Sequence, residues 1–327
     1  MFETIIQRAQ EILSVPGVLI SHCPYLPEYV KDALITSINF IPWLYFLYYA
    51  IELLERFFLK RVHLLIKLMK NFGPIFGSLI SVVPECGYSV IASIFYSRKM
   101  ITRGTLLAFL ISCSDDALPL LFLDLSKAVY IIPIVIIKII LGILVAFIVD
   151  FMFVFKKDLI EDVNAINIDL NDPGCCHHRI STAHNPPYWW AHPATHTFNM
   201  FMFTFLSLVF FNCIIKGAGG AENLASTMLI DSPYQVIVGA IIGLVPNCVT
   251  SIFLALAFVK GLISFPTLLA GLVTTTGLGL ITLTKHKPHS GDTAFITFIL
   301  LLVGIGVGLF VHNNMHVVAT IQSYFGG

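Results

Sequence analysis

Two adjacent acids, Asp115 and Asp116, lie in the run "FLISCSDDALPLLF" at 109–122 with apolar residues on both sides. An acid at the centre of a bilayer costs roughly 2.5–3.5 kcal/mol on insertion scales. Acids kept in such surroundings face a cavity and serve an ion or proton path. Ser112, Cys113 and Ser114 precede them and Pro119 follows, so an irregular helix is expected here. The other reading ends the span at Cys113 and leaves the aspartates in a surface loop. The apolar run from Leu118 to Phe122 argues against it. An acid–thiol pair, Glu85-Cys86, follows Pro84 in "LISVVPECGYSVIASIF", and Asn247-Cys248 follows Pro246 in "IIGLVPNCVTSIFLALAF". Carboxylates suit a hard cation and thiols a softer one, so the mixed set fits a transition metal better than an alkali ion. Carboxylates also bind protons, and a cation competes with protons for them. Proton–cation exchange needs only that competition.

The stretch matching the aspartates in the second half is Thr274, Thr275, Thr276, Gly277, Leu278 and Gly279. It has hydroxyls and glycines but no acids. The expected ion-binding set is therefore Glu85, Cys86, Ser112, Ser114, Asp115, Asp116, Asn247, Cys248, Thr274, Thr275 and Thr276. Within it, Glu85, Asp115, Asp116, Cys86 and Cys248 are the expected metal ligands. A separate loop, 171–198, holds Cys175, Cys176, His177, His178, His184, His192 and His196. Thiolate and imidazole together suit zinc, cobalt, nickel or copper, and Cys175, Cys176, His177 and His178 are candidate accessory ligands. The spacing is not diagnostic. A polar linker with an interfacial Trp189-Trp190 anchor explains it equally well.

These residues need a membrane to make sense. The chain has 327 residues, 57% hydrophobic and 12% charged, with mean hydropathy +0.87. Soluble domains carry roughly 25% charged residues. An integral membrane protein with helical spans follows, because polar barrel strands would lower the hydropathy. Net charge is zero, which argues against nucleic acid as a partner. Seven cysteines show no zinc-finger spacing, and a disulfide framework is not expected. Candidate spans are 36–56, 104–123, 128–154, 197–216, 265–284 and 293–315. Regions 71–97 and 233–260 are instead pairs of short arms broken by Pro-X-Cys, either spanning or re-entrant. The Gly304/Gly308 pair reads as helix packing.

A shift of 162 residues lays 83–112 on 245–274 with ten of thirty positions identical, including the Pro, the Cys and Thr-Leu-Leu-Ala. Each half then holds five segments. Five is odd, so the expected fold is all-α with two inverted repeats. Broken or re-entrant hairpins would then meet near the midplane, placing Glu85 and Cys86 opposite Asn247 and Cys248. The competing reading makes both hairpins corners at the membrane surface. The expected organisation is an amphipathic segment at 1–35, repeat one at 36–154, a His/Cys-rich linker at 155–196, repeat two at 197–316 and a tail at 317–327. The N-terminal segment reads as a surface helix rather than a cleaved signal peptide. Thirteen Lys or Arg residues fall on the side of the linker and five on the other, with Lys138 inside a span. The linker is therefore expected in the cytoplasm and both termini outside.

With the repeat and breaks placed, the chain resembles the ten-transmembrane heavy-metal exporter family, often labelled manganese transporters and loosely likened to arsenical permeases. "VPECG", "SCSDDALP" and "VPNC" with "TLLAGLVTTTGLG", plus the His/Cys linker, carry the resemblance over residues 36 to 316. It implies a multi-pass cell-membrane protein that exports a cation. The expected activity is secondary active export of a divalent metal by proton antiport, with protons as coupling ion, lipid as surroundings and no resident cofactor. Pairing of two copies is left open. The alternative within transport is an exporter of an anionic or neutral solute, such as an arsenical or an organic acid. Three acids oppose an anion unless they are protonated. An intramembrane enzyme is the alternative of another class, since paired aspartates can do acid–base chemistry. The chain has neither an HExxH motif nor a Gly-X-Gly-Asp element, and no GxxxxGK[ST] loop for ATP.

Overall fold

A computed structural model describes residues 27–59, 72–83, 87–113, 117–121, 125–153, 188–217, 219–220, 232–285 and 290–314. The described residues are helical, with no strand among them. Six stretches are long and apolar enough to cross a membrane. The chain divides into two compact units, one comprising residues 1–54 and 183–227, the other 55–182 and 228–327.

The first unit contains α1 (Glu28–Leu59) up to residue 54 and α8 (Tyr188–Gly217). They run antiparallel. Near one end, the Asn212 side-chain amide donates to Tyr29 O at 3.1 Å. Lys216 Nζ lies 5.2 Å from the Tyr29 ring. Near the other, the Tyr48 and His196 rings sit 4.4 Å apart. Residues 188–198, expected in a loop, are therefore helical, and His192 and His196 belong to α8 rather than to a linker. Tyr, Trp and His are ordinary helix residues, and Pro193 lies in the second turn, where the residues behind it still close the helix.

In the second unit the helices are α2 (72–80), α3 (Gly87–Ser97), α4 (Arg103–Ser112), α5 (Ala117–Leu121) and a short turn α6 (Leu125–Ala128). Next come α7 (Ile131–Phe153), α9 (Pro233–Gly243), α10 (Cys248–Val259), α11 (Phe265–Thr274), α12 (Gly279–Lys285) and α13 (Ser290–Asn313). Adding 162 to the bounds of α4 gives those of α11, and the backbone hydrogen bonds of the turns that precede them match. Lys99 (φ 57°) corresponds to Gly261 (φ 72°), both left-handed. Met100 N–H donates to Phe95 O, and Leu262 N–H donates to Ala257 O. The N-caps are Thr102 and Ser264. The offset seen in the residues is thus an offset in backbone structure.

The helices divide by exposure. On α7, Ile132, Ile136, Ile140, Leu144 and Ile148 form an exposed apolar stripe, as lipid-facing positions would. The opposite stripe, Ile134, Lys138, Ala146 and Val149, is buried. By contrast, every residue from Gly104 to Ser112 and from Ala117 to Leu121 is buried, as is every residue of α11. The broken helices therefore form the centre of this unit. Small residues allow that approach: a Cβ on Gly142 would strike Ser112 Oγ, and one on Gly304 would strike the Thr274 methyl. Gly142 and Gly304 are again 162 apart. Gly308 meets Val236 and Ala270, as expected for packing. The halves also interlock, because α3 packs on α12 and α10 packs on α5.

Candidate functional site: two buried helix breaks

The site begins where α4 and α11 stop. Each helix starts on a side chain borrowed from another helix. At α4, Asp150 Oδ1 accepts from Gly104 N–H at 2.8 Å and Oδ2 accepts from the Thr102 hydroxyl at 2.7 Å. A carboxylate there also complements the positive end of the helix. At α11, Gln235 Oε1 accepts from Ser264 N–H at 3.1 Å and the Thr267 hydroxyl at 3.0 Å, while its amide donates to Leu262 O at 3.1 Å.

Both helices end after ten residues, about 15 Å of rise and half a hydrocarbon core. Cys113 (φ −55°, ψ 117°) and Thr275 (φ −67°, ψ 127°) leave the helical region at equivalent positions. Their N–H groups donate to Phe109 O and Gly271 O, again an equivalent pair. In the second half the cause is visible. The Thr274 hydroxyl reaches Gly271 O at 2.9 Å and Ala240 O at 2.8 Å, and the Thr275 hydroxyl donates to Leu272 O at 3.0 Å. Hydroxyls that satisfy nearby carbonyls compete with the helix ladder. Gly277, with φ 53°, then turns the chain so that α12 can begin.

One side chain joins the two breaks. Lys138, 2% exposed on the buried stripe of α7, donates from Nζ to Cys113 O and, at 2.8 Å, to Leu272 O. Both acceptors are carbonyls at helix C-terminal ends, which carry partial negative charge. Ser112 Oγ donates to Lys138 O at 3.1 Å. Thr276 is 1% exposed, and its hydroxyl has no hydrogen-bond partner among the described residues.

Of the expected site residues, Ser112, Thr274, Thr275 and Thr276 lie buried at these breaks. Asn247 is exposed, and its side chain caps α10 by accepting from Val249 N–H at 3.2 Å. Cys248 is the first residue of α10. Glu85, Cys86, Ser114, Asp115, Asp116, Cys175, Cys176, His177 and His178 lie outside the described residues. Among the described residues no three His, Cys, Asp or Glu side chains come together. Cys113 is buried and Cys213 exposed, and neither is in a disulfide.

Sequence reasoning counted Lys138 only as a charge within a span and passed over Asp150, Gln235 and the buried Glu52 of α1. The available signal was expense: a lysine eight residues into a 23-residue apolar helix must find oxygens inside the protein.

Comparison with curated proteins and with solved structures gives no match. A family model described as "Putative, 10TM heavy-metal exporter" matches residues 25–195 and 195–324, nearly the whole chain. With six stretches apolar enough to cross a membrane and a family match over nearly its whole length, this chain belongs to that ten-transmembrane exporter family.

Proposed function

We propose that the protein is a secondary active transporter exporting a divalent transition-metal cation, manganese or a heavier metal, in exchange for protons. The observation that carries this reading is the pair of buried helix breaks joined through Lys138, with Asp115 and Asp116 in the four-residue gap that follows Ser112. Helix ends and freed carbonyls at a break are where transporters of repeated architecture hold ions. The Thr276 hydroxyl, which has no hydrogen-bond partner among the described residues, supplies another oxygen just past the α11 break. Asp115 and Asp116 would exchange protons for the metal, Glu85 would complete the carboxylate set, and Cys86 and Cys248 would favour a softer ion. Asn247, Ser112, Ser114, Thr274 and Thr275 would shape the surroundings.

The antiparallel run of α1 and α8, related by the repeat offset to within two residues at their starts, supports an inverted relation of the halves. So does the convergence of the α4 and α11 C-termini on one ammonium. The linker at 155–196 would lie in the cytoplasm and collect metal before export. The test is metal efflux from proteoliposomes under an imposed pH gradient, run with manganese, zinc and cobalt. Efflux that is indifferent to the gradient would remove proton antiport. Uptake of arsenite or an organic acid with no metal efflux would favour the second reading, for which the buried Lys138 ammonium at the two breaks is the supporting observation.

A further inference from the structure

The Lys138 contacts have a chemical meaning beyond burial. Cys113 O follows the last turn of α4, and Leu272 O lies in the last turn of α11. Both carbonyls stand at helix C-terminal ends, and Leu272 O also accepts from the Thr275 hydroxyl at 3.0 Å. Two carbonyls, each at the negative end of a helix, converge from different halves of the chain on one point. Dehydrated alkali ions are held by such oxygens where transporter helices unwind. Here the point is occupied by an ammonium carried on α7. At the equivalent position of the other repeat, α13 carries Leu300, 0% exposed. The arrangement therefore occurs on one side of the repeat and not on the other.

We propose that Cys113 O and Leu272 O form a monovalent-cation subsite whose occupant is the chain's own Lys138 ammonium. The tether makes this subsite independent of sodium and potassium, so neither ion is needed there for transport. It also fixes one positive charge between the breaks at every stage of the cycle. This inference stands on the geometry of the breaks and not on the identity of the exported solute.

The experiment is thermal unfolding of the purified full-length protein in sodium, potassium or choline chloride at equal ionic strength. Wild-type protein and Lys138→Arg keep a tethered cation and should melt alike in all three salts. Lys138→Met removes it. That variant should melt lower than wild type in choline and recover by several degrees in sodium or potassium. Recovery of folded Lys138→Met only from preparations holding an alkali ion would support the proposal equally. The same melting temperature in all three salts would overturn it. So would a Lys138→Gln variant that is as stable as wild type in choline, since a neutral donor would then suffice. Loss of both variants in every salt also overturns it, because no free cation would then replace the tether. None of these readouts involves metal export, so failure here and failure of the export reading are distinguishable.

Discussion

Two corners of the second unit occupy equivalent places in the repeat and are built from opposite chemistry. In one, Arg103 Nη2 pairs with Asp292 Oδ1 at 2.9 Å, Arg103 Nε donates to the Tyr96 hydroxyl at 3.1 Å, and that hydroxyl donates to Asp292 Oδ2 at 3.0 Å. The 162-residue offset maps Tyr96 to Phe258, Arg103 to Phe265, and Tyr130 to Asp292. Those partners form the other corner, an aromatic cluster. The Tyr130 ring lies 4.9 Å from Phe265 and 5.2 Å from Phe258. Equivalent elements meet in both places: α3, α4 and α13 in the first, and α10, α11 and the turn before α7 in the second. The repeat therefore dictates where side chains converge, but not what holds them. An ion-bonded corner weakens with salt and an aromatic one does not. Two halves with matching backbones thus respond differently to the same solution.

The comparison extends to the breaks, acidic in the first half and hydroxylated in the second, and the largest expected effect lies there. Asp115→Asn with Asp116→Asn should reduce pH-driven metal efflux to background in proteoliposomes while leaving a folded protein. The paired change Thr274→Val with Thr275→Val should slow efflux less. Normal pH-driven efflux by the double Asn variant would sink proton exchange at the acidic break.

A smaller difference separates the two N-terminal supports. Gln235→Leu strands the buried Ser264 N–H and Leu262 O, at a cost of about 2–4 kcal/mol. Asp150→Asn keeps an oxygen for Gly104 N–H and loses the charge and the acceptor of the Thr102 hydroxyl, about 1–2 kcal/mol. Thermal melts in one detergent would rank them, and the reverse order would mean that charge at the α4 start matters more than the donors at α11.

The corners themselves should differ less in strength than in salt response. A double-mutant cycle on Arg103 and Asp292, whose side chains are 19% and 22% exposed, should give about 1 kcal/mol of coupling that shrinks with added salt. A cycle on Tyr130 and Phe265 should give about 0.5–1.5 kcal/mol, unchanged by salt. Salt-independent coupling at Arg103 would remove the distinction. The smallest effect concerns Thr276. Val has its shape and the hydroxyl has no described partner, so Thr276→Val should shift stability by under about 0.5 kcal/mol. It should nevertheless raise the metal concentration needed for half-maximal efflux. A stability loss above about 1 kcal/mol would show that the hydroxyl is already satisfied within the protein.

Spans and breaks were legible because each has a local cause. An uninterrupted apolar run reports a long helix, and Ser-Cys-Ser before Asp115 or three threonines before Gly277 report a stop. The repeat was legible from identities alone, and the helix bounds follow it. Partnerships across the chain were not. Nothing near Lys138 in sequence names Leu272, and nothing near Ser264 names Gln235, because a buried hydrogen bond between distant helices leaves no periodic trace. The loop expected through residue 198 failed for a related reason. His192 and His196 look polar in composition, yet His196 packs against Tyr48 once α8 is formed.

The reach of Lys138 also has a consequence for biogenesis. The ribosome delivers Lys138 to the membrane 134 residues before Leu272 exists. Until then the ammonium lacks an acceptor that the finished protein provides, and α5 awaits α10 while α3 awaits α12. The first half must therefore be held by the insertion machinery as an incomplete partner. Half-chains separated within the linker should be degraded when made singly and should assemble when made together.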